Sequence, residues 1–162
     1  MASRTARTRK GEAATEVILQ TFRANGLFLA AGDRLAADEG LTAARWQVLG
    51  AVALARPLTV PQIARRMGLT RQSVQASVNR MLGDALIEAD ANPDHRRSPL
   101  IRLTELGSAK YAELERRQTT WINALAAGLT ASELATAARI LRELSNKLDT
   151  NARDGGKDRR RR

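Results

Sequence analysis

The segment NPDHRRSPLIRL, residues 92–103, sets an acid, the chain's one histidine and two adjacent arginines among turn-forming residues. Asp94 beside His95 has the composition of an acid–base pair, and Arg96–Arg97 that of a grip for a polyanion. A plain solvated turn is the third reading. Adjacent residues on an exposed loop rarely form a shielded site, and no nucleophile with an orienting base accompanies these two. One histidine without any cysteine gives no metal-ligand cluster, no disulfide and no thiol chemistry. Glycine motifs that cradle phosphates are missing too. An enzyme is therefore not expected, and neither a catalytic residue nor a metal or cofactor is assigned.

The elements around that segment are mostly helical, with few aromatics and abundant Ala and Leu. Residues 15–38 read as a helix with Val17, Ile18, Leu19, Phe22, Phe28 and Leu29 on its apolar side. Gly40 ends that region, and Thr42 can cap a second helix carrying Trp46, Val48, Leu49 and Val52, which Pro57 closes. Thr59 and Gln62 form a capping-box pattern, with Pro61 tolerated in the first turn and Gly68 suited to the stop. Thr70 caps the next helix, RQSVQASVNRMLGDALI. Two helices joined by about three residues containing Gly form a helix-turn-helix. Ala64 is small where the helices approach, and Ile63, Met67, Leu69, Val74 and Val78 supply apolar contacts.

On the second helix of this pair, Val74, Val78, Met81 and Ala85 share one face. Gln72, Ala76, Asn79 and Gly83 lie opposite, flanked by Arg71, Gln75 and Arg80. Residues 71–83 contain no acid, although a solvated face usually mixes Glu with Lys. Amides can bond bidentately to adenine, arginine to guanine, and a small residue such as Ala76 admits close approach or a thymine methyl. Ser73 and the amides behind Thr70 suit a phosphate. The recognition set is thus Arg71, Gln72, Ser73, Gln75, Ala76, Asn79 and Arg80.

After Ile87 the period becomes alternating, which predicts a β-hairpin whose long loop projects as a flap. Asp94, His95, Arg96 and Arg97 then become a second contact set. The arginines reach a narrow groove, Asp94 can hold a guanidinium group and so pre-organise the flap, and His95 is a further phosphate contact. Thr104 caps a helix through Leu106, Tyr111, Leu114, Trp121, Ile122 and Leu125. Thr130, with Glu133, opens the last helix, where Leu134, Ala137, Leu141, Leu144 and Leu148 follow 3-4 spacing. Leu134, Leu141, Leu144 and Leu148 are read as a dimer seam, because little chain remains to cover them; burial within one subunit is the alternative.

The chain has 162 residues and a net charge of +10, of which residues 1–11 and residues 151–162 each carry +4 and the body between them +2. The expected division is a disordered basic tail (1–14), a dimerisation helix (15–40), a helix-turn-helix with wing (41–103), C-terminal dimerisation helices (104–149) and a second disordered basic tail (150–162). Such tails serve solubility or attract phosphate backbones. No apolar run approaches the roughly 18 residues of a membrane span, and the N-terminus lacks the apolar region of a signal peptide. A cytoplasmic chain with no membrane partner is expected.

The stretches LTAARWQVLGAV (41–52), LTVPQIARRMGLTRQSVQASVNRMLGDALIEA (58–89) and NPDHRRSPLIRLTELG (92–107) together resemble the MarR family of winged helix-turn-helix regulators. The resemblance extends over about residues 15–148 and excludes the tails. It implies a mostly α fold with a small β-wing and a homodimer held by the first and last helices. The implied partner is double-stranded DNA with a near-palindromic operator, half-sites lying about one turn apart. It also implies a repressor released by a small phenolic or aromatic effector, with Phe28, Arg45, Trp46 and Tyr111 as pocket candidates. Core packing of Phe28 and Trp46 is the other reading. Without cysteine, a thiol-oxidation switch is excluded. A DNA-compacting protein using wings and tails without an operator is the alternative function.

Overall fold

A computed structural model describes residues 6–55 and 57–158, with side chains described as far as residue 149. The elements are α1 (Arg9–Ala36), a short 3-10 turn (Ala37–Glu39), α2 (Ala43–Ala53), α3 (Val60–Met67), α4 (Arg71–Gly83), β1 (Ile87–Asp90), β2 (Leu100–Leu103), α5 (Glu105–Leu125) and α6 (Ala131–Asp158). Two compact units result, one to Gln118 and one from Thr119.

In the first unit, α1 starts at Arg9 rather than near residue 15. The Thr8 hydroxyl accepts from Gly11 N at 3.1 Å, Glu12 sits in the positive first turn, and Ala13 and Ala14 favour the helix. Residues 9–14 are therefore helical where a disordered tail was expected; residues 1–5 of that tail lie outside the described residues. The helix holds to α2 at its C-terminal end. A Cβ on Gly32 would lie 2.8 Å from the Ala43 Cβ, and Asp33 Oδ1 accepts from Ala43 N at 2.7 Å. Further back the expected apolar residues stay open, with Phe22 72 % and Leu19 56 % exposed.

The core of this unit gathers Val48, Leu49 and Val52 of α2, Ile63 and Ala64 of α3, and Val74, Val78 and Met81 of α4. Leu86, Ile87, Ile101 and Leu114 complete it. Each large side chain buried in this way contributes about 1.5–3 kcal/mol. Leu69, expected to join the contact between α3 and α4, is instead exposed, because it lies in the turn beyond Gly68. β1 and β2 pair antiparallel, Ile87 against Leu103 and Asp90 against Leu100. A single bridge adds Leu58 to Ile101, whose N–H donates to the Leu58 carbonyl at 2.8 Å.

The helix after Thr70 ends at Gly83, four residues before Ile87. Ala85, expected on the buried face, lies beyond it, exposed and left-handed at φ 55. Leu86 N donates to Met81 O at 2.9 Å, which closes the helix end and forces that conformation.

In the second unit α6 is opened as expected. Glu133 Oε2 accepts from both Thr130 N and the Thr130 hydroxyl, at 2.8 and 2.7 Å. Along the predicted seam Leu134, Leu141 and Leu148 are exposed and Leu144 is half-buried. The helix continues to Asp158 with no proline to stop it, so the expected tail is helical over 150–158; residues 159–162 lie outside the described residues. Among the described residues no helix is long and apolar enough to cross a membrane.

Candidate nucleic-acid interface

The two predicted contact sets are positioned by local chemistry. Gly68, at φ 65, ends α3 and lets its N–H reach the Ala64 and Arg65 carbonyls, while Leu69 N donates to Ala64 O at 3.0 Å. Gln62 Oε1 accepts from Thr59 N at 2.7 Å and from the Thr59 hydroxyl at 2.9 Å, fixing the start of α3. Thr70 Oγ1 accepts from Ser73 N at 3.1 Å and so begins α4 at Arg71. Burial of Val74, Val78 and Met81 then fixes the helix's rotation. Arg71, Gln72, Ser73, Gln75, Ala76, Asn79 and Arg80 are all exposed. Across the outward face, Gln75 Nε2 donates to Asn79 Oδ1 at 2.7 Å.

In the hairpin stem one residue holds two acids: Arg102 bridges Glu88 at 2.9 Å and Asp90 at 2.6 Å. Its loop is braced by Asn92 rather than by the expected Asp94. Asn92 Oδ1 accepts from Asp94 N at 3.1 Å, and its Nδ2 donates to Ser98 O at 2.8 Å. An amide can do both, whereas a carboxylate only accepts. Among the described residues Asp94 forms no ion pair. Asp94, His95, Arg96 and Arg97 all remain exposed.

The helix and the loop face each other across an open groove. A pocket of about 420 Å³ is lined by Gln72, Gln75 and Leu82 of α4 and Ala89 and Pro99 of the hairpin. A second, of about 820 Å³, reaches Arg65, Asn92 and His95. Pro61, Arg71, Arg97 and Ser98 line both. From Gly40 to Gly83 the sequence contains no acid. Among the described residues Arg65, Arg66, Arg71, Arg80, Arg96 and Arg97 enter no ion pair. The paired cations are Arg45, Arg102, Lys110, Arg116, Arg117 and Arg139. Of the arginines outside any ion pair, Arg65, Arg71 and Arg97 line the groove, placing positive charge without an internal partner where it suits a polyanion.

Two locks behind this face were not foreseen. Thr104 Oγ1 accepts from Gly107 N at 3.0 Å and donates to Ala85 O at 2.7 Å, while Thr104 N donates to Leu86 O at 3.2 Å. This ties the start of α5 to the end of α4. A Cβ on Gly107 would stand 1.8 Å from the Leu86 oxygen, so the contact requires glycine. The second lock is Arg45, whose guanidinium donates to Gly40 O at 2.9 Å and pairs with Asp84 at 3.1 Å. This candidate for an effector pocket is engaged by the protein's own groups.

Phe28 is 55 % exposed on α1, while Trp46 and Tyr111 pack against the core. The Tyr111 hydroxyl donates to Glu115 Oε1 at 2.8 Å. Burial, followed by that carboxylate, pushes its pKa up to about 12. Nearby, hydrogen bonds from Arg116 and then Arg117 hold Glu113 down to about 2. Arg117 also pairs with Asp38 at 2.9 Å, anchoring α5 to the 3-10 turn. Among the described residues there is no group of three or more His, Asp or Glu able to hold a metal.

The MarR family profile matches residues 39–98, the segment that holds both contact sets. A Mycobacterium tuberculosis protein of uncharacterised function is 41 % identical over 128 residues, 79 % of this chain and 89 % of that protein. A MarR/EmrR-family transcriptional regulator from Acinetobacter shares the fold at a TM-score of 0.76, with 19 % identity, covering 85 % of this chain and 97 % of that one. The Bordetella bronchiseptica regulator BpsR, whose DNA binding is regulated by 6-hydroxynicotinic acid, aligns at a TM-score of 0.70 and 23 % identity. That alignment covers 80 % of this chain and 98 % of BpsR.

Proposed function

The chain belongs to the MarR family of DNA-binding transcription regulators, and we propose that it acts as a homodimeric, sequence-specific repressor in the cytoplasm. One observation carries the reading: α4 and the hairpin loop present amides and unpaired arginines to a single groove. In this reading α4 enters the major groove, where Gln72 and Asn79 address bases, Ser73 takes a phosphate, and Arg71 and Arg80 flank them. Arg96 and Arg97 enter the adjacent minor groove, with Asp94 and His95 at the loop's surface.

The homodimer is supported by apolar residues left open in both units. Ile18, Leu19, Phe22 and Phe28 on α1 and Leu134, Leu141 and Leu148 on α6 would be buried by a second copy. Two-fold symmetry then favours a near-palindromic operator with half-sites about one DNA turn apart.

Release by a small aromatic acid has a physical route. A ligand carboxylate that takes the Arg45 N–H now donated to Asp84 would displace the residue that ends α4. Occupancy with Phe28, Trp46 or Tyr111 alongside would thereby loosen the recognition helix. It shifts the population only so far as the ligand prefers the released state.

The deciding experiment titrates the full chain, at several salt concentrations, against DNA from upstream of its own gene and against random duplex. Preference of about 10³ or more is expected of a specific regulator. A ratio near unity would sink the proposal and leave a DNA-compacting protein. Light scattering on the same sample tests the dimer.

A further inference from the structure

Gln75 and Asn79 sit one helical turn apart on the exposed face of α4 and are joined by the 2.7 Å bond from Gln75 Nε2 to Asn79 Oδ1. Neither amide has another hydrogen bond among the described residues. A free amide carries a donor and an acceptor and can turn over to suit either kind of base edge. Joined, the two cannot turn independently. With Oδ1 engaged, Asn79 offers its Nδ2 donors outward, and Gln75 keeps a free Oε1 acceptor beside its second N–H.

We propose that Gln75 and Asn79 read DNA as one coupled unit of fixed polarity. Asn79 donates to guanine O6 or thymine O4, the position where adenine and cytosine carry an amino group instead, and Gln75 accepts from the amino group of adenine or cytosine on a neighbouring base pair. About 6 Å of helix rise separates the two, so they address neighbouring pairs rather than the same one. This rests on α4 being the reading helix and adds to it a rule for which bases it selects. Solvent competes for the bond in the free protein; in a water-poor groove the bond strengthens, and breaking it leaves two polar groups unpaired.

The rule has an unusual consequence. A glutamate at position 75 can only accept, so Asn79 must turn its Nδ2 toward it and present Oδ1 to the DNA. The substitution Gln75→Glu therefore reverses the preference at a base pair that residue 75 does not touch. Gln75→Ala frees Asn79 to turn and broadens that preference.

The test selects binding sites from a randomised duplex pool with the full-length chain and with its Asn79→Ala, Gln75→Ala and Gln75→Glu variants. Asn79→Ala marks the base pair concerned by loss of its preference, about fivefold or more. Gln75→Glu should change that pair from guanine or thymine to adenine or cytosine, and Gln75→Ala should admit both. A motif in which the marked base stays the same in both position-75 variants overturns the coupling and leaves the reading helix in place. If the glutamate variant binds too weakly to select a site, Gln75→Ala decides alone. No motif from the native chain overturns the reading helix, and the coupling with it.

Discussion

Arg45, in the first turn of α2, reaches Asp84, the residue that closes α4, at 3.1 Å, although 39 positions separate them in the chain. The same guanidinium holds the Gly40 carbonyl, so one side chain joins the end of the 3-10 turn to the end of the candidate reading helix. Its side chain is 15 % exposed, against 49 % for Asp84.

That asymmetry predicts unequal effects. Arg45→Met removes both of these bonds and should cost about 1–2 kcal/mol, as for hydrogen bonds to a charged group. Asp84→Asn, at the open end, should cost under about 1 kcal/mol. Urea unfolding at fixed protein concentration measures both; equal losses would mean that Arg45 acts through Asp84 alone.

Ala85 is left-handed without being glycine. That conformation costs an L-residue about 1–2 kcal/mol, and glycine gives back part of the gain through its freer unfolded chain. Ala85→Gly should therefore stabilise the protein by about 0.5–1 kcal/mol, read as a higher unfolding midpoint. A lower midpoint would show that the turn is set by packing instead.

Gly107→Ala should do the reverse. A Cβ placed 1.8 Å from the Leu86 oxygen collides with backbone, which cannot rotate away. A loss of more than about 3 kcal/mol, or failure to fold, is expected. Thr104→Ala, which removes only the hydroxyl's two bonds, should cost about 1 kcal/mol and leave a folded chain. Circular dichroism during urea titration separates the two.

Glu113 makes stability sensitive to acid. Its folded pKa of about 2 lies below the ordinary glutamate value of 4.5, so between those values the unfolded chain binds more protons than the folded one. The stabilisation is present above about pH 4.5 and is lost as pH falls toward 2. Glu113→Gln should flatten the loss of stability across that window; an unchanged slope would place the sensitivity elsewhere.

Arg97→Ala should weaken binding on every duplex by a similar factor and lower the salt dependence, because it removes a cation from the groove. Gln72→Ala should relax preference at particular bases, by about fivefold or more at the pair it reads. Equal losses on all sequences from both variants would contradict this division between loop and helix.

The helix caps were legible because capping is a local contest. Thr42, Thr59 with Gln62, Thr70 and Gly68 each meet partners within a few residues. The turn of α4 that exposes its amides was legible from the period of Val74, Val78 and Met81. What escaped was set by distant partners or by a choice between similar side chains. Nothing near Arg45 in sequence announces Asp84, and an Asx turn can be built on Asn92 or on Asp94 until the Ser98 carbonyl requires a donor. The end of α4 was missed because Ala85 occupies a position where glycine is the usual signal. Gly107, quoted within the family-like stretch, gains its meaning only when the Leu86 carbonyl is seen against it.

The Asn92 brace closes the hairpin loop from within and leaves both Arg96 and Arg97 exposed. A trypsin-like protease recognises that dibasic pair, and a ligand covering the same arginines would shield it. The rate of cleavage there is thus a label-free gauge of occupancy, since the feature that would grip a polyanion is also the one that betrays its absence.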